Sequence, residues 1–135
     1  MNTVETIYLE GLRTEAVHVK SGVKITTDAP EDNNGKGQSF SPTDLLAGSL
    51  ASCMLTIVGI LADNHGFSID GTRAETVKVM ASNPRRVTEI RVTFHFPEIE
   101  YSEIQKEKIR KAALSCPVAL SIHPDLKQNI TFNFK

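Results

Sequence analysis

Residues 41 to 65, SPTDLLAGSLASCMLTIVGILADNH, constrain this chain more than any other stretch. Ser41 is a favoured N-cap residue, Pro42 suits the first helical position, and Asp44 stands three residues after the cap, where a carboxylate reaches back to the chain and meets the positive end of a helix. The pattern predicts a helix running to His65-Gly66, with the glycine available for a left-handed cap and the histidine near the negative end. From Leu45 to Ala62 apolar residues fall on nearly all sides, and the one polar stripe is Ser49, Ser52, Thr56 and Asp63. A helix of this kind has to be covered almost all round by protein. At 135 residues the chain has the length of a single domain and limited material for that cover, so a homodimer partner is the expected source of the rest.

The stretches around the helix read mainly as strands. TVETIYLE, LRTEAVHVK and VKITTD carry apolar or β-branched residues on a period of two and are separated at Gly11 and Ser21-Gly22. Residues 28–40, rich in Pro, Asn, Asp and Gly, have no period and form a long loop. TRAETVKVMAS and VTEIRVTFHFP flank Asn83-Pro84-Arg85-Arg86 and read as a hairpin. SEIQKEKIRKAALSC is a second helix, opened by a Ser102/Gln105 capping box and burying Ile109, Ala112, Ala113 and Cys116 on one face. PVALSIH restarts as a short helix with Pro117 in its first turn, and NITFNF closes as a strand. Strands in runs, not alternating strictly with helices, predict an α+β fold with antiparallel sheet in the order βββ-α-ββ-α-β.

Fifteen basic and sixteen acidic residues leave a formal charge of −1, which excludes the basic footprint that nucleic acid selects. The first twenty residues alternate apolar with polar instead of forming a signal or spanning segment, so the expected setting is cytoplasmic, with no membrane partner. His18, His65, His95 and His123 are scattered, the two cysteines lack zinc-ligand spacing, and no GxSxG, P-loop, GxGxxG or HExxH occurs. The expectation is a protein without resident metal or cofactor.

What remains is the thiols. In a reducing compartment, two cysteines are free, buried or redox-active more often than permanently bridged. Cys53 shares a stripe with Leu46, Leu50, Ile57 and Ile60, where a cysteine acts as a small hydrophobe unless a cation, a base or a helix N-terminus stabilises its thiolate. Cys116, immediately before Pro117, is placed to cap the short helix beside free backbone N–H groups. Among the cations Arg13 stands out, in a strand close to Gly11; its pattern fits a solvated strand residue equally well.

Taken together, SPTDLLAGSLASC, the following hairpin, SCPVALSI and the strand-rich start resemble the family of the osmotically induced protein OsmC and the organic hydroperoxide resistance protein Ohr. The resemblance covers the whole chain. It implies an intertwined dimer with sites at the interface, a long central helix wrapped by sheet, Cys53 as the peroxidatic thiol, Cys116 as the resolving one, and Arg13 as the cation that steadies the thiolate. One departure stands out: Ohr-like members carry a glutamate directly after the helix-opening proline to hold the arginine, and here that position is Thr43, with Asp44 next. Within one helix, about 15 Å of rise separates Thr43 from Cys53, so neither Thr43 nor Asp44 could reach the thiol directly. The chain therefore resembles the less characterised OsmC-like branch more than Ohr.

The function so implied is thiol-dependent reduction of organic hydroperoxides in oxidative-stress defence, with an external dithiol as reductant. The alternative is a dimeric protein that binds a small hydrophobic ligand or senses redox state, its thiols non-catalytic.

Overall fold

The structure, a computed structural model, describes residues 1–135, which divide into two compact units, residues 1–46 and 47–135. In the first unit, β1 (Val4–Glu10), β2 (Arg13–His18) and β3 (Lys24–Asp28) form an antiparallel sheet in that order. Glu10, Gly11 and Leu12 all have positive φ, so the turn into β2 holds two non-glycine residues in a conformation L-residues rarely adopt. The register pairs Arg13 with Asp28 and Val17 with Lys24, so directly opposed side chains share a face. β1 is exposed along its whole length, Val4, Ile7, Tyr8 and Leu9 included.

Residues 28–40 form a closed loop. The Asp28 N–H donates to the Phe40 carbonyl at 3.0 Å, and the Ser39 hydroxyl donates to the Thr26 carbonyl at 2.7 Å. Inside it a single 3-10 turn, Glu31–Asn33, is followed by Gly35, whose N–H donates to the Pro30 carbonyl. A Cβ at position 35 would fall on the Ala29 carbonyl oxygen, so only glycine fits this close approach.

The long helix α1 spans Pro42–His65. Its first turn is capped reciprocally: the Asp44 N–H donates to the Ser41 hydroxyl at 3.0 Å, and the Ser41 N–H donates to the Asp44 carboxylate at 2.9 Å. At its far end His65 Nδ1 donates to the Leu61 carbonyl at 2.9 Å, and Gly66 adopts the left-handed conformation.

In the second unit α1 buries Ala47, Leu50, Ala51, Met54, Val58 and Ala62, spaced three and four apart along one face. This corrects the expected stripe. Leu50 is in the core, but Leu46 and Ile60 are exposed, and Cys53 sits half-buried on the shoulder of the buried face. A helix apolar nearly all round has no hydropathy contrast to fix its rotation, and small alanines, which allow close approach to sheet, define the inward side.

β4 (Arg73–Ala81) and β5 (Arg86–His95) are antiparallel. β6 (Lys127–Asn133) runs parallel to β5, the one ladder that departs from the antiparallel expectation. The reason is the connection: α2 (Glu103–Leu114) and α3 (Pro117–Ser121) lie between β5 and β6, the length that a parallel crossover needs. Alternate residues Ile90, Val92, Phe94 and Phe96 join Leu50, Met54 and Val58 of α1 and Ile109, Ala113 and Cys116 of the crossover in one core. At one end Phe96 stacks on Phe134 with centroids 4.5 Å apart, and Tyr101 donates its hydroxyl to the Ser68 carbonyl at 2.7 Å. The opposite face of the sheet is polar: Arg73 pairs with Glu75 at 2.6 Å, His95 with the same Glu75 at 3.0 Å, and Arg91 with Glu89 at 3.2 Å.

Candidate functional site

The thiols come together within the second unit. Cys53 is carried on the shoulder of α1, and Cys116 stands where α2 ends and α3 begins, with its N–H donating to the Ala113 carbonyl at 3.3 Å. Both are free thiols packed around one core, and the Cys53 sulfur is near enough to act on the ionisation of the Cys116 thiol. Sixty-two intervening residues are bridged because the inward faces of α1 and of the crossover share one core.

Cys116 is the N-cap of α3, and its Sγ accepts the Ala119 N–H at 3.4 Å. Pro117 at the first helical position leaves no donor to satisfy there, and the sulfur serves the third residue of the same turn, Ala119. Cys116 is fully buried, at 0% exposure, whereas Cys53 keeps partial access. Burial pushes the Cys116 thiol up from its ordinary value, and the neighbouring Cys53 sulfur acts in the same sense; the Ala119 and Val118 N–H groups oppose them. Burial thus favours the protonated form of Cys116.

Arg13 belongs to the first unit, and its partners there are defined. Its Nε donates to Asp28 Oδ1 at 2.6 Å, its Nη2 to Asp28 Oδ2 at 2.9 Å, and Nη2 also to the Gln38 side-chain oxygen at 2.9 Å. The Gln38 N–H donates to Asp28 Oδ2 at 3.1 Å, which ties the end of the 28–40 loop to the pair. The hydrogen bonds to Arg13 hold the Asp28 carboxyl below the usual carboxylate range, with burial opposing, and the same carboxylate raises Arg13. A fork-to-fork guanidinium–carboxylate pair fixes the plane of the arginine as well as its charge. Asp28, buried at 2% exposure, thus does the holding that the resemblance assigned to a glutamate at position 43. Thr43 lies beside Ser41, their hydroxyls 3.2 Å apart, and Asp44 is engaged in the helix cap.

Asp28 and Gln38 were not singled out from sequence. A usable signal exists for Asp28. With the hairpin turn at Ser21-Gly22 recognised, continuing the register outward from Val17 and Lys24 sets Arg13 opposite Asp28. For Gln38 there is none, since its position depends on the closed loop.

A separate cleft of about 400 Å³ opens between the second half of α1 and residues 69–72, lined by Leu55, Ile60, Ile69, Asp63 and Asp70 among others. No group of three His, Cys, Asp or Glu side chains is arranged to hold a metal ion.

The sequence model of the family described as OsmC-like protein matches residues 35–131. No sequence among the curated proteins matches the chain. Among solved structures, the chain is similar to a Psychrobacter arcticus protein provisionally described as an osmotic stress induced and detoxification response protein, with 50% identity, 98% of this chain and 96% of that one covered, and a TM-score of 0.94. It shares its fold with an OsmC-like protein of Mycoplasma pneumoniae, at 21% identity, 98% and 94% coverage and a TM-score of 0.74. The same holds for an organic hydroperoxide resistance protein OsmC of Legionella pneumophila, at 16% identity, 98% coverage of both chains and a TM-score of 0.73. With the family model matched over residues 35–131 and half of its residues shared with the Psychrobacter arcticus protein over nearly the whole of both chains, the chain belongs to the OsmC-like protein family.

Proposed function

We propose that this protein is a thiol-dependent peroxidase that reduces organic hydroperoxides in oxidative-stress defence. The observation that carries the reading is two unbridged thiols of unequal exposure in one core, Cys53 partly accessible and Cys116 buried. The Cys53 thiolate attacks the distal peroxide oxygen; the O–O bond breaks, the alkoxide takes a proton and leaves as alcohol, and Cys53 becomes a sulfenic acid. The Cys116 thiol then condenses with it, the sulfenic oxygen leaves as water, and a disulfide joins the two. An external dithiol restores both thiols and is itself oxidised to a disulfide. Arg13, locked by Asp28, is the cation that this reading assigns to thiolate stabilisation. The leucine and isoleucine residues of α1 favour an alkyl-bearing substrate over hydrogen peroxide.

The detoxification response in the description of the 50% identical relative supports this reading. The reading includes a homodimer, which would cover the exposed Ile7, Tyr8 and Leu9 of β1 and Ile60 of α1, and a cytoplasmic setting without resident cofactor, membrane or nucleic-acid partner. The test is loss of cumene hydroperoxide with dithiothreitol as reductant. Cys53→Ser is expected to abolish turnover and Cys116→Ser to block the disulfide; a Cys53→Ser protein as fast as wild type refutes the proposal.

The cleft between α1 and residues 69–72, where Leu55, Ile60 and Ile69 stand beside Asp63 and Asp70, supports a second reading, a binding protein for small ligands with an apolar part and non-catalytic thiols. It predicts retained ligand binding and unchanged, negligible peroxide loss in both serine variants.

A further inference from the structure

The sulfurs differ in a way that bears on the last step of the cycle, the return from disulfide to thiols. Thiolate attack on a disulfide runs along the S–S axis, so the attacked sulfur must be open on the side away from its partner. Cys116 is closed there: it has no exposure, its backbone N–H is bonded to Ala113, its Sγ receives the Ala119 N–H, and it is packed in the core with Ile109 and Ala113. Cys53, on the shoulder of α1, is only partly buried, so it is the one of the two residues that solvent reaches.

We propose that the reducing dithiol attacks the sulfur of Cys53, so that the mixed disulfide forms at Cys53 and Cys116 departs as the thiolate. The inference rests on the peroxidase reading for its place in a cycle. In the first step a reductant thiolate forms an S–S bond to Cys53 while the Cys53–Cys116 bond breaks, and the electron pair leaves on Cys116. That thiolate departs into the hydrogen bond from Ala119, then takes a proton, the state burial favours. In the second step the reductant's other thiolate displaces Cys53 and closes the reductant's own disulfide. One effect opposes this direction: a thiol raised by burial is the poorer leaving group. That slows departure, whereas a sulfur without access is not attacked at all, so access decides.

The experiment uses the wild-type protein. Its Cys53–Cys116 disulfide is formed with diamide, which needs no peroxidase activity, and checked by intact mass. A brief pulse of excess 2-mercaptoethanol is quenched with N-ethylmaleimide, and the adducts are located by peptide mass spectrometry. The expected result is mercaptoethanol on Cys53 and maleimide on Cys116, exceeding the reverse pattern by about tenfold or more. Mercaptoethanol on Cys116, an even mixture, or failure of diamide to join the two cysteines overturns the proposal. A parallel sample oxidised with cumene hydroperoxide separates the two claims: no disulfide there, with Cys53 labelled in the diamide sample, refutes the peroxidase reading and leaves the site of attack standing.

Discussion

Replacing Cys116 by alanine removes two things that can be sized separately. The first is the sulfur itself, one heavy atom from a fully buried side chain, comparable to the loss of a buried methyl at about 1 kcal/mol. The second is the N-cap acceptor of α3, whose loss leaves the Ala119 N–H without its partner and costs about 1 kcal/mol more. Cys116→Ala is therefore expected to lower unfolding stability by about 2 kcal/mol, a fall in Tm of roughly 6–10 °C for a chain of this size. Cys53 is half-buried and caps nothing, so Cys53→Ala should cost below about 1 kcal/mol. Cys116→Ser, whose hydroxyl can accept the same N–H, should fall between the two. The assay is urea unfolding of the reduced proteins followed by circular dichroism, at matched protein concentration. Equal losses in Cys116→Ala and Cys53→Ala would refute the assignment of a structural role to the Cys116 sulfur. The result also governs the activity assays, since a Cys116 variant must be compared at a temperature where it is folded.

Asp28→Asn removes the carboxylate that holds Arg13. Because the folded-state value of Asp28 is depressed, the pair stabilises the fold fully above the ordinary carboxylate range, near pH 4, and the contribution is lost as pH falls through the depressed value. The variant should be less stable than wild type at neutral pH and show a flatter acid limb when Tm is followed downward from pH 6; parallel curves would contradict this. Gly35→Ala forces the loop backbone away from Ala29 and should destabilise by about 1–3 kcal/mol, read as faster proteolysis within residues 29–40. Ser102→Ala breaks the capping box that links Ser102 and Gln105 at the start of α2 and should cost about 0.5–2 kcal/mol in urea unfolding. Sedimentation should show a particle of twice 14.8 kDa, and Ile60→Asp should shift it toward the monomer.

Legibility followed the locality of the signal. Both major helix starts could be read because a cap is a short-range device: Ser41 with Asp44, and Ser102 with Gln105, each close a reciprocal pair within three residues. The role of Cys116 as cap of α3 was equally readable, since the following proline fixes where the helix begins. The rotation of α1 was not, because its apolar residues give no contrast; only the sheet and crossover packed against it decide that Met54 faces in while Ile60 faces out. The direction of β6 was missed for a related reason, as nothing in a strand's own residues records which way its neighbour runs. The partner of Arg13 was hidden by looking only to the helix start, when the carboxylate lay across the β2–β3 hairpin.

The charged face of the β4–β5–β6 sheet has its own consequence for handling the protein. Several of its charged groups already have partners on the same face, Arg73 with Glu75 and Arg91 with Glu89, while His95 Nε2 lies 3.0 Å from Glu75 and Asn129 donates to Glu89 at 3.3 Å. Drying such a surface against another protein would strip water from several ions without offering any of them a better partner. Burying this face is therefore costly, and a fluorophore or surface tether at the exposed Thr131 on its edge strand is expected to leave both sulfurs undisturbed.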